Sequence, residues 1–223
     1  PCHLIVTGQD CISPLFYASP GVFIHQENIS KTVADVNVET HLSLKNKKQG
    51  LRLKTTVADA DNKTVASNEV EVSDVIVKQP MKIHRPILWD GKKNPYLYTV
   101  TVELYDGNLL KDRMVQRTGF RYFSVDHEKG FFLNGEYLNL YGFCRHEDAV
   151  GRASALLPED YRMDMELIKE SGATAMRLAH YPHAEPMYDL SDENGIILWT
   201  EIPMCGPGGQ AFTGFVDTEG YKD

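Results

Sequence analysis

Asn139-Leu140-Tyr141-Gly142-Phe143, Ala173-Thr174-Ala175-Met176-Arg177-Leu178 and Ile196-Ile197-Leu198-Trp199-Thr200 are three short, mostly apolar runs separated by two stretches of helical period. Pro158 to Ser171 sets Tyr161, Met165 and Ile168 at i, i+4 and i+7, opens with proline in the first turn and closes at Gly172. Glu185 to Asn194 reads as a shorter helix, closed by Gly195. Strands apolar on both faces, alternating with helices, indicate parallel β/α units rather than a meander.

In such architectures the reacting groups gather at the carboxyl ends of the strands. The first run leads into Cys144-Arg145-His146-Glu147-Asp148, the second into Arg177-Leu178-Ala179-His180-Tyr181-Pro182-His183, and the third into Glu201-Ile202-Pro203. A lone histidine after a strand is ordinarily structural. Three strand ends that all carry ionisable groups on one side of one sheet make a functional rim.

Upstream the grammar is different. From Lys31 to about Val125 the hydrophobic period is two. Ala34, Val36, Val38, Leu42 and Leu44 alternate with Asp35, Asn37, Glu39, His41 and Ser43, and Leu51, Leu53, Thr55 and Val57 with Arg52, Lys54 and Thr56. Lys45 to Gly50 is a polar turn. Asp59-Ala60-Asp61-Asn62-Lys63 is another; its acidic and amide groups suggest calcium, but no glycine and no distal glutamate complete such a loop, so a solvated hairpin turn is expected. Val65 to Val72 and Tyr96 to Leu104 are further strands, with hairpin signals at Asp106-Gly107 and Asn134-Gly135. Short strands without helical period between them predict an antiparallel β-sandwich of immunoglobulin-like size, acting as scaffold.

The 223 residues are 42% hydrophobic and 24% charged, an ordinary globular balance. No apolar stretch approaches the ~20 residues of a membrane-spanning helix. Thirty-one acidic against 23 basic residues give a formal charge of −8, which argues against a nucleic-acid backbone or an anionic membrane as partner. The start, Pro1-Cys2-His3-Leu4-Ile5, lacks a basic region followed by an apolar core, so no signal peptide is expected. Cys2, Cys11, Cys144 and Cys205 form no Cys-x-x-Cys pair and are expected as free thiols, a Cys2–Cys11 bridge being the alternative. The compartment, bacterial periplasm or cytoplasm, stays open.

Gly119-Phe120-Arg121, Phe132-Leu133-Asn134-Gly135, Gly142-Phe143-Cys144-Arg145-His146-Glu147, Arg177-Leu178-Ala179-His180-Tyr181-Pro182 and Asp192-Glu193-Asn194-Gly195-Ile196 together resemble glycoside hydrolase family 2. That family holds β-galactosidases, β-glucuronidases and β-mannosidases. The Arg-x-x-His-Tyr-Pro stretch followed by Asp-x-x-Gly is the specific element. Asn94-Pro95-Tyr96-Leu97-Tyr98 resembles the segment closing the family's middle sandwich, so the likeness runs from about Tyr17 onward. Cys144 departs from the pattern, where asparagine is usual. Gly172-Ala173-Thr174 with Arg177 to His180 looks most like the galactosidases of gut-type bacteria, while His146-Glu147-Asp148-Ala149 also resembles the glucuronidase branch.

The resemblance implies three parts: residues 1–19 as the tail of an N-terminal sugar-binding sandwich, 20–124 as the immunoglobulin-like sandwich, and 125–223 as the first three β/α units of a TIM-type barrel. A full barrel needs eight strands and ~250 residues. The chain is therefore expected to be a fragment of a retaining β-galactosidase-like hydrolase. The acid/base glutamate, following an asparagine on strand four, and the nucleophile on strand seven are expected beyond Asp223, so the chain alone is expected to be inactive. Asn68-Glu69 lies in a sandwich strand and is a decoy. The implied sugar-facing shell is His146, His180, Arg177, Arg145 and Glu201, with Arg177 supporting the nucleophile carboxylate. No metal or other cofactor is expected, because Cys205 and Pro207 stand where some galactosidases carry magnesium ligands. The implied partners are a β-galactoside and either a second copy or the rest of the chain, which would cover the open barrel. The different-class alternative is a non-catalytic carbohydrate-binding or assembly module.

Overall fold

The structure, a computed structural model, describes residues 4–45 and 50–203. In chain order it carries β1 (Cys11–Ile12), β2 (Val22–Glu27), β3 (Val33–Ser43), β4 (Leu51–Ala58), β5 (Thr64–Glu71), β6 (Ile76–His84), β7 (Tyr98–Asp106), β8 (Leu109–Thr118), β9 (Phe123–Asp126), β10 (Gly130–Leu133), β11 (Glu136–Tyr137), β12 (Gly142–Arg145), α1 (Pro158–Glu170), β13 (Ala175–Leu178), α2 (Glu185–Asn194) and β14 (Ile197–Thr200). They fall into two compact units, Pro1–Leu138 and Asn139–Asp223.

In the first unit two antiparallel sheets face each other. One is centred on β3, flanked by β2 and β6 with β1 at its end; the other runs β5-β4-β7-β8. The alternation explains why. Ala34, Val36 and Val38 from β3 meet Leu51, Leu53 and Val57 from β4 and Val100, Val102 and Leu104 from β7 in one core. Each such valine or leucine side chain contributes roughly 1.5–3 kcal/mol on leaving water. Thr55 and Gln79 are buried polar exceptions, and they satisfy one another. The Thr55 hydroxyl donates to Gln79 Oε1 at 2.6 Å, and Gln79 Nε2 donates to the Leu53 and Asn68 carbonyls at 3.1 and 2.9 Å. Because Gln79 belongs to β6, these bonds stitch one sheet to the other.

The loop at Asp59 is a hairpin turn, as expected: Asp59 Oδ1 accepts from the Asp61 and Lys63 amides. Asn68 and Glu69 lie in β5, where Asn68 donates to the Pro80 carbonyl and Glu69 pairs with Arg52. Asn134 and Gly135 both take positive φ, 52° and 85°, as the two-residue turn between β10 and β11 requires. The Asn134 amide also donates to the buried Trp89 carbonyl at 3.0 Å. Residues 46–49, within the expected polar turn, lie outside the described residues, as do Cys2, Cys205 and Pro207. Cys11 and Cys144 are free thiols.

The second unit is an open parallel sheet, β12-β13-β14, joined by α1 and α2. Tyr161, Met165 and Met187 from the helices pack on Met176 and Leu178 of β13. α1 covers the expected helix to within a residue, and α2 matches Glu185–Asn194. The first strand differs from expectation. It occupies Gly142–Arg145 rather than 139–143, because pairing with β13 begins only at Gly142↔Ala175 and continues to Arg145↔Leu178. Gly142 sits so close to its neighbour that a Cβ there would stand 2.0 Å from the Ala175 carbonyl oxygen. No helix among the described residues is long and apolar enough to cross a membrane.

Candidate functional site

The register of β12-β13-β14 sorts the rim residues onto two faces. Cys144, Arg177 and Trp199 are laterally paired and share the face away from the helices; Arg145, Leu178 and Thr200 share the opposite one. Leu178 is fully buried among the helix side chains, which identifies its face as the helix-packed one. Trp199, 68% exposed, marks the other as the open inner face.

On the inner face Arg177 is the hub. Its Nε donates to Glu201 Oε1 at 2.6 Å and its Nη2 to Glu201 Oε2 at 3.1 Å. Nη1 donates to Cys144 Sγ at 3.4 Å. Nη2 also lies 3.2 Å from His180 Nδ1. The same Nδ1 lies 3.3 Å from Glu201 Oε2, so one imidazole nitrogen faces both the guanidinium and the carboxylate. The Glu201 hydrogen bonds hold Arg177 above its ordinary value, and Arg177 holds the Glu201 carboxyl below the usual carboxylate range. The His146 ring stands edge-on to His180 with centroids 5.4 Å apart. The peptide bond between Ala179 and His180 is cis. His146, His180, Arg177 and Glu201 thus converge, as four of the five expected residues.

Arg145 does not join them. One residue along a strand reverses the face, and Arg145 points into the helix layer, 8% exposed. Its Nε donates to Asp164 Oδ2 at 2.8 Å, and its Nη1 to Glu147 Oε2 at 2.9 Å and to His183 Nδ1 at 3.0 Å. Its Nη2 is buried and has no hydrogen-bond partner among the described residues, while the guanidinium carbon lies 5.2 Å from the Tyr161 ring centre. The Tyr161 hydroxyl donates to the second Glu147 oxygen, and burial with that carboxylate pushes the Tyr161 phenol up to about 12. Arg145, expected in the sugar-facing shell, lies on the helix-packed face of the sheet. Glu147, Asp164, Tyr181 and His183 were not singled out as site residues. Period two, counted from Cys144 through His146, separates Arg145 and Glu147 onto the other face and is the signal that points to them. Among the described residues no cluster of three histidine, cysteine or acidic side chains is suited to a metal ion.

Two family models match this chain: one described as "Glycosyl hydrolases family 2" over residues 20–121, and one described as "Glycosyl hydrolases family 2, TIM barrel domain" over residues 124–221. The chain is 41% identical to a β-glucuronidase of Bacteroides fragilis, an alignment taking in 99% of this chain and 32% of that protein. It is 28% identical to a β-galactosidase of Bacteroides ovatus, over 84% of this chain and 23% of that one. A solved Bacteroides fragilis structure, provisionally described as a β-galactosidase, superposes with a TM-score of 0.85 at 35% identity, covering 88% of this chain and 30% of that one. The chain therefore spans about a third or less of the length of the proteins it resembles.

Proposed function

The chain belongs to glycoside hydrolase family 2, and on that premise we propose that the protein of which it forms a part removes a terminal β-linked sugar from glycosides with retention of configuration. The observation that carries this reading is the convergence of Arg177, Glu201, His180 and His146 on the inner face of the parallel sheet. Retaining hydrolysis needs two carboxyl groups about 5–5.5 Å apart, one an acid/base and one a nucleophile. The family resemblance assigns these to barrel strands four and seven, whereas β12, β13 and β14 correspond to the first three. The proposed contribution of this chain is the shell around the sugar. His180 offers an imidazole edge for hydrogen bonding to a sugar hydroxyl, and His146 lies beside it. Arg177 supplies a fixed positive charge that keeps a neighbouring nucleophile carboxylate ionised. Residues 1–223 alone, lacking both catalytic carboxylates, are proposed to be inactive. The exposed Trp199 and the open inner face fit cover by the rest of the barrel or by a second copy.

For substrate class, a β-glucuronide is the leading reading, in place of the galactoside first expected. It is supported by the 41% identity to a β-glucuronidase over nearly the whole chain. A β-galactoside is the second reading, supported by the 172–180 motif and the 28% identical relative. Comparing kcat/KM of the whole protein on 4-nitrophenyl β-D-glucuronide and β-D-galactoside tests both. A preference for the glucuronide of about a hundred-fold or more is expected, since a site built for a carboxylate is left with unpaired groups by a neutral sugar. The reverse preference transfers the assignment to galactosides, and hydrolysis of neither overturns the glycosidase reading.

A further inference from the structure

Two short loops carry the histidines of the inner face: His146 follows β12, and His180 follows β13. Each histidine is flanked on both sides by residues tied to the opposite loop. The Ala179 amide donates to the Arg145 carbonyl at 3.0 Å, linking the residues just before each histidine. The Glu147 amide donates to the Tyr181 hydroxyl at 3.3 Å, linking the residues just after. The side chains repeat the pattern. Arg145 Nη1 reaches both Glu147 Oε2 and His183 Nδ1. His183 is bounded on its other edge by the Ala179 carbonyl, 3.1 Å from Nε2. With Nε2–H donating there, Nδ1 is the acceptor that Arg145 requires. The assembly is anchored below by α1, through Asp164 on Arg145 and Tyr161 on Glu147.

We propose that Arg145, with Glu147, Tyr181 and His183, forms a positioning clamp that fixes the relative placement of His146 and His180 without itself touching the sugar. The inference rests on the glycosidase reading for its consequence, but its geometry does not. A buried guanidinium with carboxylate partners is costly to leave half-paired, so the clamp has one well-defined arrangement rather than several. Fixing both strand ends through one guanidinium explains why a charged side chain stands where the helix-facing pattern of β13 places Leu178. It also explains how the 5.4 Å spacing of the two imidazoles is kept on exposed loops. Geometry errors well under an ångström matter at such sites, and supporting hydrogen bonds are what prevent them.

The test uses the whole protein carrying Arg145→Met, Tyr181→Phe, His183→Gln or His183→Ala. Three properties are read: kcat/KM on an aryl β-glycoside, the Tm, and the imidazole resonances of His146 and His180 in 15N-histidine-labelled protein. Arg145→Met is expected to lower kcat/KM about ten-fold or more and to move both resonances. In a His146→Ala/His180→Ala background the same substitution is expected to cost less than about two-fold, because residues acting through one another are not additive. His183→Gln, which retains a donor and an acceptor, is expected to keep more activity than His183→Ala. Tyr181→Phe removes a single hydroxyl and covers the case in which Arg145→Met does not fold. A full loss that persists in the double-histidine background would show that Arg145 contacts the sugar directly. Unmoved resonances in folded Arg145→Met and Tyr181→Phe would show that the clamp positions nothing. If the wild type hydrolyses no glycoside, the glycosidase reading falls, and the resonances still decide the clamp.

Discussion

Arg177 holds Glu201 with two donors, Nε to Oε1 at 2.6 Å and Nη2 to Oε2 at 3.1 Å, joining β13 to the residue that follows β14. A forked pair of this kind fixes direction as well as distance. It leaves Nη1 alone, on Cys144, facing along the inner surface.

The pair has a pH signature. Arg177 holds the Glu201 carboxyl below its ordinary range, so the folded state binds that proton less tightly than the unfolded state does. Its stabilisation is therefore complete above the ordinary glutamate value of about 4.3 and is lost as pH falls through the depressed one. Melting curves of wild type and Glu201→Gln should separate at neutral pH and converge under strong acid. A separation that grows toward acid would contradict the assignment.

His180→Ala in the whole protein is expected to lower kcat/KM ten-fold or more, or about 1.5–3 kcal/mol for a hydrogen bond in a desolvated site. If His180 only orders the loop before Pro182, the Tm drops and kcat/KM, measured well below it, stays near wild type.

With Tyr98 and Tyr105, which are also raised, Tyr161 should be among the tyrosines that resist ionisation. Its phenol is buried and donates to Glu147, and its value stands at about 12. Because the folded value is raised, the associated stability is complete below the ordinary tyrosine value of about 10 and is lost as pH rises toward about 12. Alkaline difference spectra should show a late-ionising component that shrinks by one tyrosine in Tyr161→Phe. An undiminished late component in that variant would contradict the assignment.

Gln79→Ala should destabilise the sandwich by about 2–4 kcal/mol, since it leaves the buried Leu53 carbonyl and Thr55 hydroxyl without their partner. Urea unfolding of residues 1–223, followed through the buried Trp89, measures it. A change under about 0.5 kcal/mol would mean that water replaces the amide.

The strands with one wet face were readable from residue order alone. β3 and β4 follow their alternation almost to the residue, because an apolar side chain at every second position has only one face to bury. β6 was not readable: it contains Pro80, a residue that argues against a strand, and its buried Gln79 stands where an apolar residue would mark the core. The β/α grammar of the second unit was readable from the proline that opens α1 and the glycine that follows each helix. Alternation separates Arg145 from Cys144, but which of the two faces meets the helices was not readable. A motif places Arg145 at a strand end beside His146, but the pairing Arg145↔Leu178 decides that it turns toward the helices. Register is a property of two strands together, and a single strand's composition does not contain it. For the same reason Asp164 and His183, far from Arg145 in the chain, joined its cluster only in three dimensions.

The most direct test of the account is the anomeric form of the sugar first released. Proton NMR of the whole protein acting on 4-nitrophenyl β-D-glucuronide, or on the galactoside if that is the better substrate, should show the β-anomer first. The α-anomer should then grow only at the rate of mutarotation, as retention through two carboxyl groups requires. The α-anomer appearing first, or no release of sugar from either glycoside, would contradict the claim that Arg177, Glu201, His180 and His146 line the sugar site of a retaining β-glycosidase.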